Sequence, residues 1–177
     1  MNWLMGNISD ITDEQYAEIY EGLSKSRKAH IDKKEIKEAK KASLLATHLL
    51  NELLLKEFNI NSPIETDENG VPFVKDDIFI SISHSKEKVV CAASLSPIGI
   101  DIEKIRPVKE NLINFVCTPE EKAFVLENDK GNRFFMVWTA KEAAFKKEPK
   151  RKSLLLIDTL DLKKETFIID GYCISIV

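Results

Sequence analysis

Two carboxylates separated by one residue stand out in the segment Ile98–Glu103, which reads Ile-Gly-Ile-Asp-Ile-Glu. As a strand, this segment places its three isoleucines on one face and Gly99, Asp101 and Glu103 on the other. The two carboxylates then lie about 7 Å apart along the backbone, and both can reach one hard cation that prefers oxygen ligands. Gly99 leaves room on the same face for a ligand to approach the backbone. The alternative is an ordinary amphipathic strand whose acids face water.

Two further polar clusters occur in otherwise apolar surroundings. The first is Ser83-His84-Ser85 at the end of a predicted strand, and the second lies on a predicted helix around Glu142. On a helical wheel, five charged and aromatic side chains of this helix fall within about 140° of arc: Trp138, Lys141, Glu142, Phe145 and Lys146. They are either turned into a cleft or exposed above the edge of a core. The alternative for Glu142 and Lys146 is a surface pair worth a few tenths of a kcal/mol.

Taken together, the three clusters predict metal-assisted phosphoryl transfer. A third carboxylate would join Asp101 and Glu103, and three acids around one Mg²⁺ leave positions open for water and phosphate oxygens. Nearby lysines and a histidine would neutralise the rest of a pyrophosphate. Positioning and charge stabilisation would then provide most of the catalysis.

Two other phosphate-binding or nucleophilic designs are disfavoured. The sequence contains neither GxxxxGK[ST] nor GxGxxG, so it has no P-loop and no dinucleotide fingerprint. Ser83 and His84 do not suit a nucleophile pair, because adjacent strand residues point to opposite faces and no nucleophile elbow is present.

The composition is that of a globular protein with locally concentrated positive charge. The chain has 177 residues, 44% of them hydrophobic, and a net charge of −3, which fits one domain or two small halves. This balance argues against nucleic acid as a partner. Lysines nevertheless crowd at residues 25–41 and 141–152, which fits a small anionic ligand, although the lysines at 34, 37 and 41 also fit a solvated helix face.

The cysteines and the hydropathy pattern bear on the compartment. Cys91, Cys117 and Cys173 are widely spaced and form no CxxC, which argues against a disulfide framework or a zinc site and favours a reducing compartment. The N-terminus lacks the basic and apolar regions of a signal peptide, and no apolar run could span a bilayer. We therefore expect a cytoplasmic protein with no membrane contact.

The first half of the chain is predicted to contain helices followed by strands, and we place its boundary at 95/96. Helix starts are indicated by a capping box at Thr12 and, in the second half, by another at Thr118 with Pro119. The predicted elements of the first half are a short strand at 3–5, a helix after Thr12, a basic loop or helix entry at 24–31, a long helix at about 33–57, an edge strand at 71–74, and strands at 78–83 and 89–93. These last two strands and the strand at 98–103 are expected to form an antiparallel meander.

The second half is predicted to place two helices before a terminal hairpin. Its elements are helices at about 119–127 and 133–147, a strand at 154–157, and strands at 167–169 and 172–176 joined by an Asp170-Gly171 turn. Helices and strands recur in a loosely similar order in the two halves, without a sequence repeat.

The ordered set of polar motifs resembles the 4′-phosphopantetheinyl transferases. The matching segments are Ile82-Ser83-His84-Ser85, then Gly99–Glu103, then Trp138-Thr139-Ala140-Lys141-Glu142-Ala143-Ala144-Phe145-Lys146. The length and the basic first half are similar to the Sfp type, in which one chain forms a pseudo-dimer. The resemblance implies an α+β fold of two similar halves, 1–95 and 96–177, each a small, mostly antiparallel sheet packed with helices and related by a pseudo-twofold axis, with coenzyme A at their junction.

The resemblance also implies roles for individual residues. Mg²⁺, or Mn²⁺, would be held by Asp101, Glu103 and Glu142 beside the coenzyme's pyrophosphate. Glu142 would act as the base for a serine of an apo acyl or peptidyl carrier protein, and Lys146 would stabilise charge on the pyrophosphate. The remaining implied coenzyme contacts are Arg27, His30, Lys41, Ser83, His84, Asp101 and Lys141, with His84 on the 3′-phosphate. A monomer is expected, with no nucleic acid or membrane partner.

Three positions depart from the family pattern. Ala42, beside Lys41, stands where relatives carry an arginine, and Val71 follows Gly70 where many carry a lysine. Residues 148–152 replace a glycine-containing segment. The rival hypothesis is therefore a non-catalytic homologue that binds coenzyme A or a carrier protein; a weaker third one is a structural α+β protein whose acids all lie on the surface.

Overall fold

The computed structural model describes residues 2–148 and 153–177. It divides the chain into two compact units, Met1–Pro97 and Ile98–Val177, so that the division falls two residues beyond the predicted position. Each unit combines a three-stranded antiparallel sheet with α-helices, as the predicted α+β class requires. Residues 149–152 of the segment 148–152, which departs from the family pattern, lie outside the described residues. Within the described ranges, no helix is both long and apolar enough to cross a membrane.

The N-terminal unit is built on a sheet whose middle strand is the last one in sequence. Its strands are β1 (Asn2–Asn7), β2 (Glu65–Thr66), β3 (Pro72–Phe73), β4 (Phe79–Ser85) and β5 (Lys88–Ser94), and its helices are α1 (Asp13–Glu21), α2 (Lys25–Asp32) and α3 (Lys37–Phe58). The main sheet has the order β1-β5-β4, and β2 pairs separately with β3. The strands predicted at 3–5, 78–83 and 89–93 are thereby confirmed.

Side-chain caps set the starts of the first two helices. The Thr12 hydroxyl accepts from the Gln15 amide, and the Gln15 side chain accepts from the Thr12 amide at 2.8 Å, which confirms the predicted capping box. Ser24 accepts from the Arg27 amide at 3.2 Å, so the region predicted as a loop or helix entry is the full helix α2. Helix α3 begins four residues later than predicted, after Ile36.

The core of the N-terminal unit lies between α3 and the sheet. Leu50, Leu53 and Leu54 of α3 are buried with Cys91 and Ala93 of β5. Leucines at these helical spacings form a single apolar stripe that faces the sheet. Burial of this stripe holds the long helix in place despite the lack of a side-chain cap.

The C-terminal unit contains the strand that carries Asp101 and Glu103. Its strands are β6 (Ile100–Lys104), β7 (Glu165–Ile169) and β8 (Tyr172–Ile176), and its helices are α4 (Glu110–Val116), α5 (Pro119–Glu127) and α6 (Lys130–Lys147). The sheet has the order β6-β8-β7. The predicted turn between the last two strands is confirmed, with φ of 53° at Asp170 and 75° at Gly171, as a type I′ turn requires.

The predicted meander of three consecutive strands is wrong. Strand β6 does not join β4 and β5; it pairs with β8, with Asp101 opposite Ser175. Two further bonds extend the ladder, from the Gly99 amide to the Val177 carbonyl at 3.1 Å and back from the Val177 amide at 3.0 Å. The isoleucines of β6 are buried in the C-terminal unit, so burial rather than a short connection selects the partner strand.

Two other predictions for the C-terminal unit also change. Leu154–Leu156 form a 3-10 turn, not a strand, and Ser153 accepts from the Leu155 amide at 3.3 Å. A run of four apolar residues does not distinguish the two conformations. Helix α4 was not predicted. The core of this unit includes Phe134, Phe135 and Val137, which are buried residues of its longest helix, α6.

Candidate functional site

Strand β6 and helix α6 approach each other at Gly99. A Cβ atom at Gly99 would lie 1.8 Å from the Ala143 carbonyl oxygen and 2.9 Å from the Lys147 amide nitrogen. These distances are too short for any side chain at this position. The space beside Gly99 is therefore filled by helix backbone, and the expectation that it admits a ligand is wrong. The close approach brings the carboxylates of β6 next to the polar face of α6.

Asp101 and Lys146 form a direct ion pair across this contact. Lys146 Nζ lies 2.7 Å from Asp101 Oδ1 and donates to the Ile100 carbonyl at 3.2 Å. Asp101 is buried and Lys146 is about one-third exposed. A carboxylate removed from water needs such a partner, and the ion pair places these two side chains next to each other.

Glu103 pairs with a residue that the sequence analysis did not select. Arg106 Nη1 lies 3.3 Å from Glu103 Oε2 and 3.1 Å from the Lys104 carbonyl oxygen. The sequence contained one signal for this pair: a cation that follows a candidate metal ligand by three residues and lies just beyond the end of the strand.

Glu142, on α6, is the third acid near Asp101 and Glu103 of β6, and we call these three residues the acidic group. Burial raises the pKa of the Glu142 carboxyl, the charges of Asp101 and Glu103 raise it further, and Lys146 opposes the shift. Three carboxylates and one ammonium group therefore share one electrostatic environment. In the described part of the chain, however, no three His, Cys, Asp or Glu side chains are gathered as a ready-made metal site.

Oxygen donors of this kind suit a hard divalent ion. All three candidate ligands are carboxylates, which is the donor chemistry that Mg²⁺ prefers. The mutual repulsion seen at Glu142 is the effect that a bound cation would relieve. In this structure Lys146 and Arg106 partly neutralise the group instead.

Lys141 lies away from this group even though it precedes Glu142. Its side chain is fully buried, and Nζ lies 2.9 Å from Glu121 Oε2. Nζ also donates to the Ile157 and Leu155 carbonyls. Glu121 in turn accepts from the Thr159 amide at 2.9 Å. This geometry gives Lys141 a structural role and does not support the expected coenzyme contact.

Arg27 and His30, the predicted contacts on α2, have different surroundings within the N-terminal unit. Arg27 is 1% exposed and donates to the Thr47 hydroxyl at 3.0 Å and the Thr66 hydroxyl at 3.3 Å. Burial lowers the pKa of Arg27 to about 10. His30 packs against Gly70, where a Cβ would lie 3.0 Å from its ring, and burial with the charges of Lys34, Arg27 and Lys33 lowers the pKa of His30.

The other predicted contacts of the N-terminal unit are spread over two elements. Lys41 forms an ion pair with Asp13 and lies 4.8 Å from the centre of the Tyr16 ring. Ser83 and His84 are neighbours on β4, opposite Val90 and Val89 of β5, and His84 is exposed. The structure thus gathers Asp101, Glu103, Glu142 and Lys146 within one unit, whereas Arg27, His30, Lys41, Ser83 and His84 belong to the other.

Comparisons with known proteins point to one family. The sequence profile of the 4′-phosphopantetheinyl transferase superfamily matches residues 97–164, which include the whole acidic group. The chain is 37% identical over 110 residues to "4′-phosphopantetheinyl transferase gsp" of Aneurinibacillus migulanus, covering 59% of this chain and 46% of that protein. It is 32% identical over 128 residues to "4′-phosphopantetheinyl transferase Sfp" of Bacillus subtilis (strain 168), covering 68% of this chain and 57% of that protein.

These alignments leave much of each relative unmatched. The chain thus spans about half the length of the curated relatives it matches. The predicted family is confirmed by the profile and by both relatives. The profile match covers residues 97–164, which carry the strand with Asp101 and Glu103 and the helix with Glu142 and Lys146, and through these residues the chain is similar to the 4′-phosphopantetheinyl transferase superfamily.

Proposed function

We propose that this chain is a Mg²⁺-dependent 4′-phosphopantetheinyl transferase. It moves the phosphopantetheine group of coenzyme A to a serine of an apo acyl or peptidyl carrier protein and releases adenosine 3′,5′-bisphosphate. The observation that supports this best is the grouping of Asp101, Glu103, Glu142 and Lys146 where β6 meets α6. The similarity of the same residues to this family supports the reaction class.

The metal ligands in this proposal are Asp101, Glu103 and Glu142. Bound there, Mg²⁺ or Mn²⁺ would neutralise charge on the pyrophosphate of coenzyme A. The three carboxylates come from two elements that are fixed against each other at Gly99 and Ala143. Such fixed placement is what charge stabilisation during phosphoryl transfer requires.

Glu142 is the proposed base for the carrier serine. Burial is the first cause of the raised pKa of Glu142, and a carboxylate within reach of a hydroxyl can serve as its general base. The proton passes from the serine Oγ to a Glu142 carboxylate oxygen, directly or through water, while the serine Oγ forms a bond to the β-phosphorus. The bond from that phosphorus to the bridging oxygen breaks, and the bridging oxygen leaves on adenosine 3′,5′-bisphosphate. Lys146, which lies 2.7 Å from Asp101, would stabilise the charge that develops on the leaving phosphate.

The coenzyme's phosphates are proposed to contact Arg27, His30, Lys41, Ser83 and His84. Exposure of His84 on β4 leaves its ring accessible, and His30 lies among three cations that favour an anion nearby. We also propose a cytoplasmic monomer made of two pseudo-symmetric halves. Free cysteines, two of them buried, fit a reducing compartment.

A mass-spectrometric assay tests this function. Purified protein is incubated with coenzyme A, Mg²⁺ and a panel of apo acyl and peptidyl carrier proteins. We expect one carrier or more to gain the mass of one phosphopantetheine, and Asp101→Asn to lose at least about 100-fold in rate. Asp161→Asn is the matched control because Asp161 is an exposed residue of the same unit. If Asp101→Asn retained the wild-type rate, the assignment would be wrong.

One alternative has specific observations in its favour. Lys41 is paired with Asp13, and Lys141 is buried against Glu121, so two expected basic contacts are already engaged. A non-catalytic homologue that binds coenzyme A or a carrier protein would account for this. It predicts binding of either molecule without any mass gain on any carrier in the panel.

A further inference from the structure

We propose that Arg106 is a positioning residue that holds the Glu103 carboxylate in the orientation needed for the divalent ion. The inference rests on the proposed metal site and adds a residue to it. Arg106 lies outside the set of acids and lysines that the motifs predict. Its guanidinium contacts Glu103, with Nη1 at 3.3 Å from Oε2.

Three contacts fix the position of the Arg106 guanidinium. Besides the bond to Glu103, Nη1 donates to the Lys104 carbonyl oxygen at 3.1 Å. The guanidinium carbon lies 4.9 Å from the centre of the Phe135 ring, and Phe135 is buried in the core of the unit. A planar cation that stacks on a fixed ring and bonds to backbone has few other orientations. It can therefore restrict the carboxylate that it touches.

Lys104, another cation of this region, contacts the neighbouring strand and the turn before it. Its Nζ lies 4.2 Å from the centre of the Tyr172 ring and donates to the Asp170 carbonyl at 3.4 Å. Tyr172 is the partner of Lys104 in the pairing of β6 with β8. Arg106, three residues after Glu103 and beyond the end of β6, forms an ion pair with that acid.

Two opposite effects of Arg106 on metal affinity are possible, and the geometry distinguishes them. A hydrogen bond to a ligating carboxylate orients it, and loss of such a partner costs about 10–100-fold in metal affinity. A cation near the ion also repels it, but the Arg106 side chain is 56% exposed, so water and salt screen that repulsion. Orientation is therefore expected to dominate, and Arg106 to strengthen metal binding.

Direct titration with Mn²⁺, followed by electron paramagnetic resonance on the whole protein without coenzyme, tests the inference. We expect Arg106→Ala to raise the Kd for Mn²⁺ by about tenfold, and Arg106→Gln, which keeps an N–H donor, to raise it less. The increase should persist at moderate salt, because salt weakens the direct Arg106–Glu103 hydrogen bond at 3.3 Å less than it weakens a longer-range repulsion between Arg106 and the ion. Arg133→Ala is the matched control: Arg133 also lies over a ring, Phe124, and pairs with an acid, Glu127.

The outcomes separate this inference from the proposed function. If wild-type protein binds Mn²⁺ and Arg106→Ala binds it equally or more tightly, the Arg106 inference is wrong and the metal site stands. If wild-type protein binds no Mn²⁺, the metal site itself is wrong and Arg106 has nothing to position. Should Arg106→Ala fail to fold, Arg106→Gln and Arg106→Lys provide the same comparison.

Discussion

Gly99 and Ala143 come so close together that strand β6 and helix α6 touch through their backbones. A Cβ at position 99 would lie 1.8 Å from the Ala143 carbonyl oxygen and 2.8 Å from its carbonyl carbon. Neither atom can move without shifting the helix. The spacing between Asp101 on the strand and Glu142 on the helix therefore depends on a residue that has no side chain.

Gly99→Ala should increase the separation of β6 and α6. Because the obstructing atoms are backbone, we expect a loss of stability of about 2 kcal/mol or more, comparable to other overpacked sites. In protein that remains folded we also expect weaker Mn²⁺ binding. Urea denaturation and metal titration at low temperature measure the two effects.

Gly131→Ala is the matched control for Gly99→Ala. Gly131 lies in the first turn of α6, and a Cβ there would come no closer than 3.7 Å to its nearest neighbour, the Arg106 carbonyl oxygen. Alanine is also the better helix former, so this variant should be as stable as wild type or more stable. Equal effects at positions 99 and 131 would contradict the argument.

Lys141→Met should be strongly destabilising. The Lys141–Glu121 pair is fully buried, so removing the lysine leaves a carboxylate without its counter-charge, at a cost of about 3–5 kcal/mol. The double variant Lys141→Met with Glu121→Leu should recover much of that loss, because it removes both charges. Urea denaturation of the single and double variants measures the difference.

A surface pair provides the reference for this experiment. Lys56 pairs with Glu57 at 3.7 Å, and its side chain is 79% exposed, so Lys56→Met should change stability by less than about 1 kcal/mol. If Lys141→Met behaved like Lys56→Met, the buried pair would have no structural importance. Lys141 would then be available for another role.

His30 should make the protein less stable as the pH falls below 6.5, the pKa of an ordinary histidine. Burial and the charges of Lys34, Arg27 and Lys33 lower the pKa of His30 from 6.5. Between this lowered pKa and 6.5 the unfolded chain binds more protons than the folded chain, so stability is lost as pH decreases through this window. His30→Gln should make stability less dependent on pH there, which thermal unfolding at pH 5 to 7.5 would reveal. An unchanged pH dependence would contradict the placement of His30 in this environment.

Local sequence patterns predicted the elements that carry the site. The period of two at Ile98–Glu103 predicted that Asp101 and the isoleucines face opposite sides, and β6 has its isoleucines buried. The capping boxes at Thr12 and Thr118 predicted two helix starts, and both are present. Patterns of this kind depend on neighbours within a few residues, which is why the sequence alone reveals them.

Contacts between distant residues were not predictable in the same way. Strand β6 pairs with β8 rather than with its sequence neighbour β5, because burial within each unit decides which strands meet. The helical wheel placed Lys141 beside Glu142 and Lys146, but it had no information on Glu121, twenty positions earlier, which pairs with Lys141 in the core. Arg106 was missed for a similar reason, since its guanidinium lies over the ring of Phe135, which is far from it in the sequence.

The most direct test of the account is the anomalous scattering of Mn²⁺ in crystals of the protein grown with coenzyme A. We predict one strong peak, with carboxylate oxygens of Asp101, Glu103 and Glu142 each within about 2.5 Å, as hard divalent ions require. A crystal in which Mn²⁺ binds elsewhere, or in which Glu142 stays more than about 4 Å from the ion, would contradict the proposed metal site.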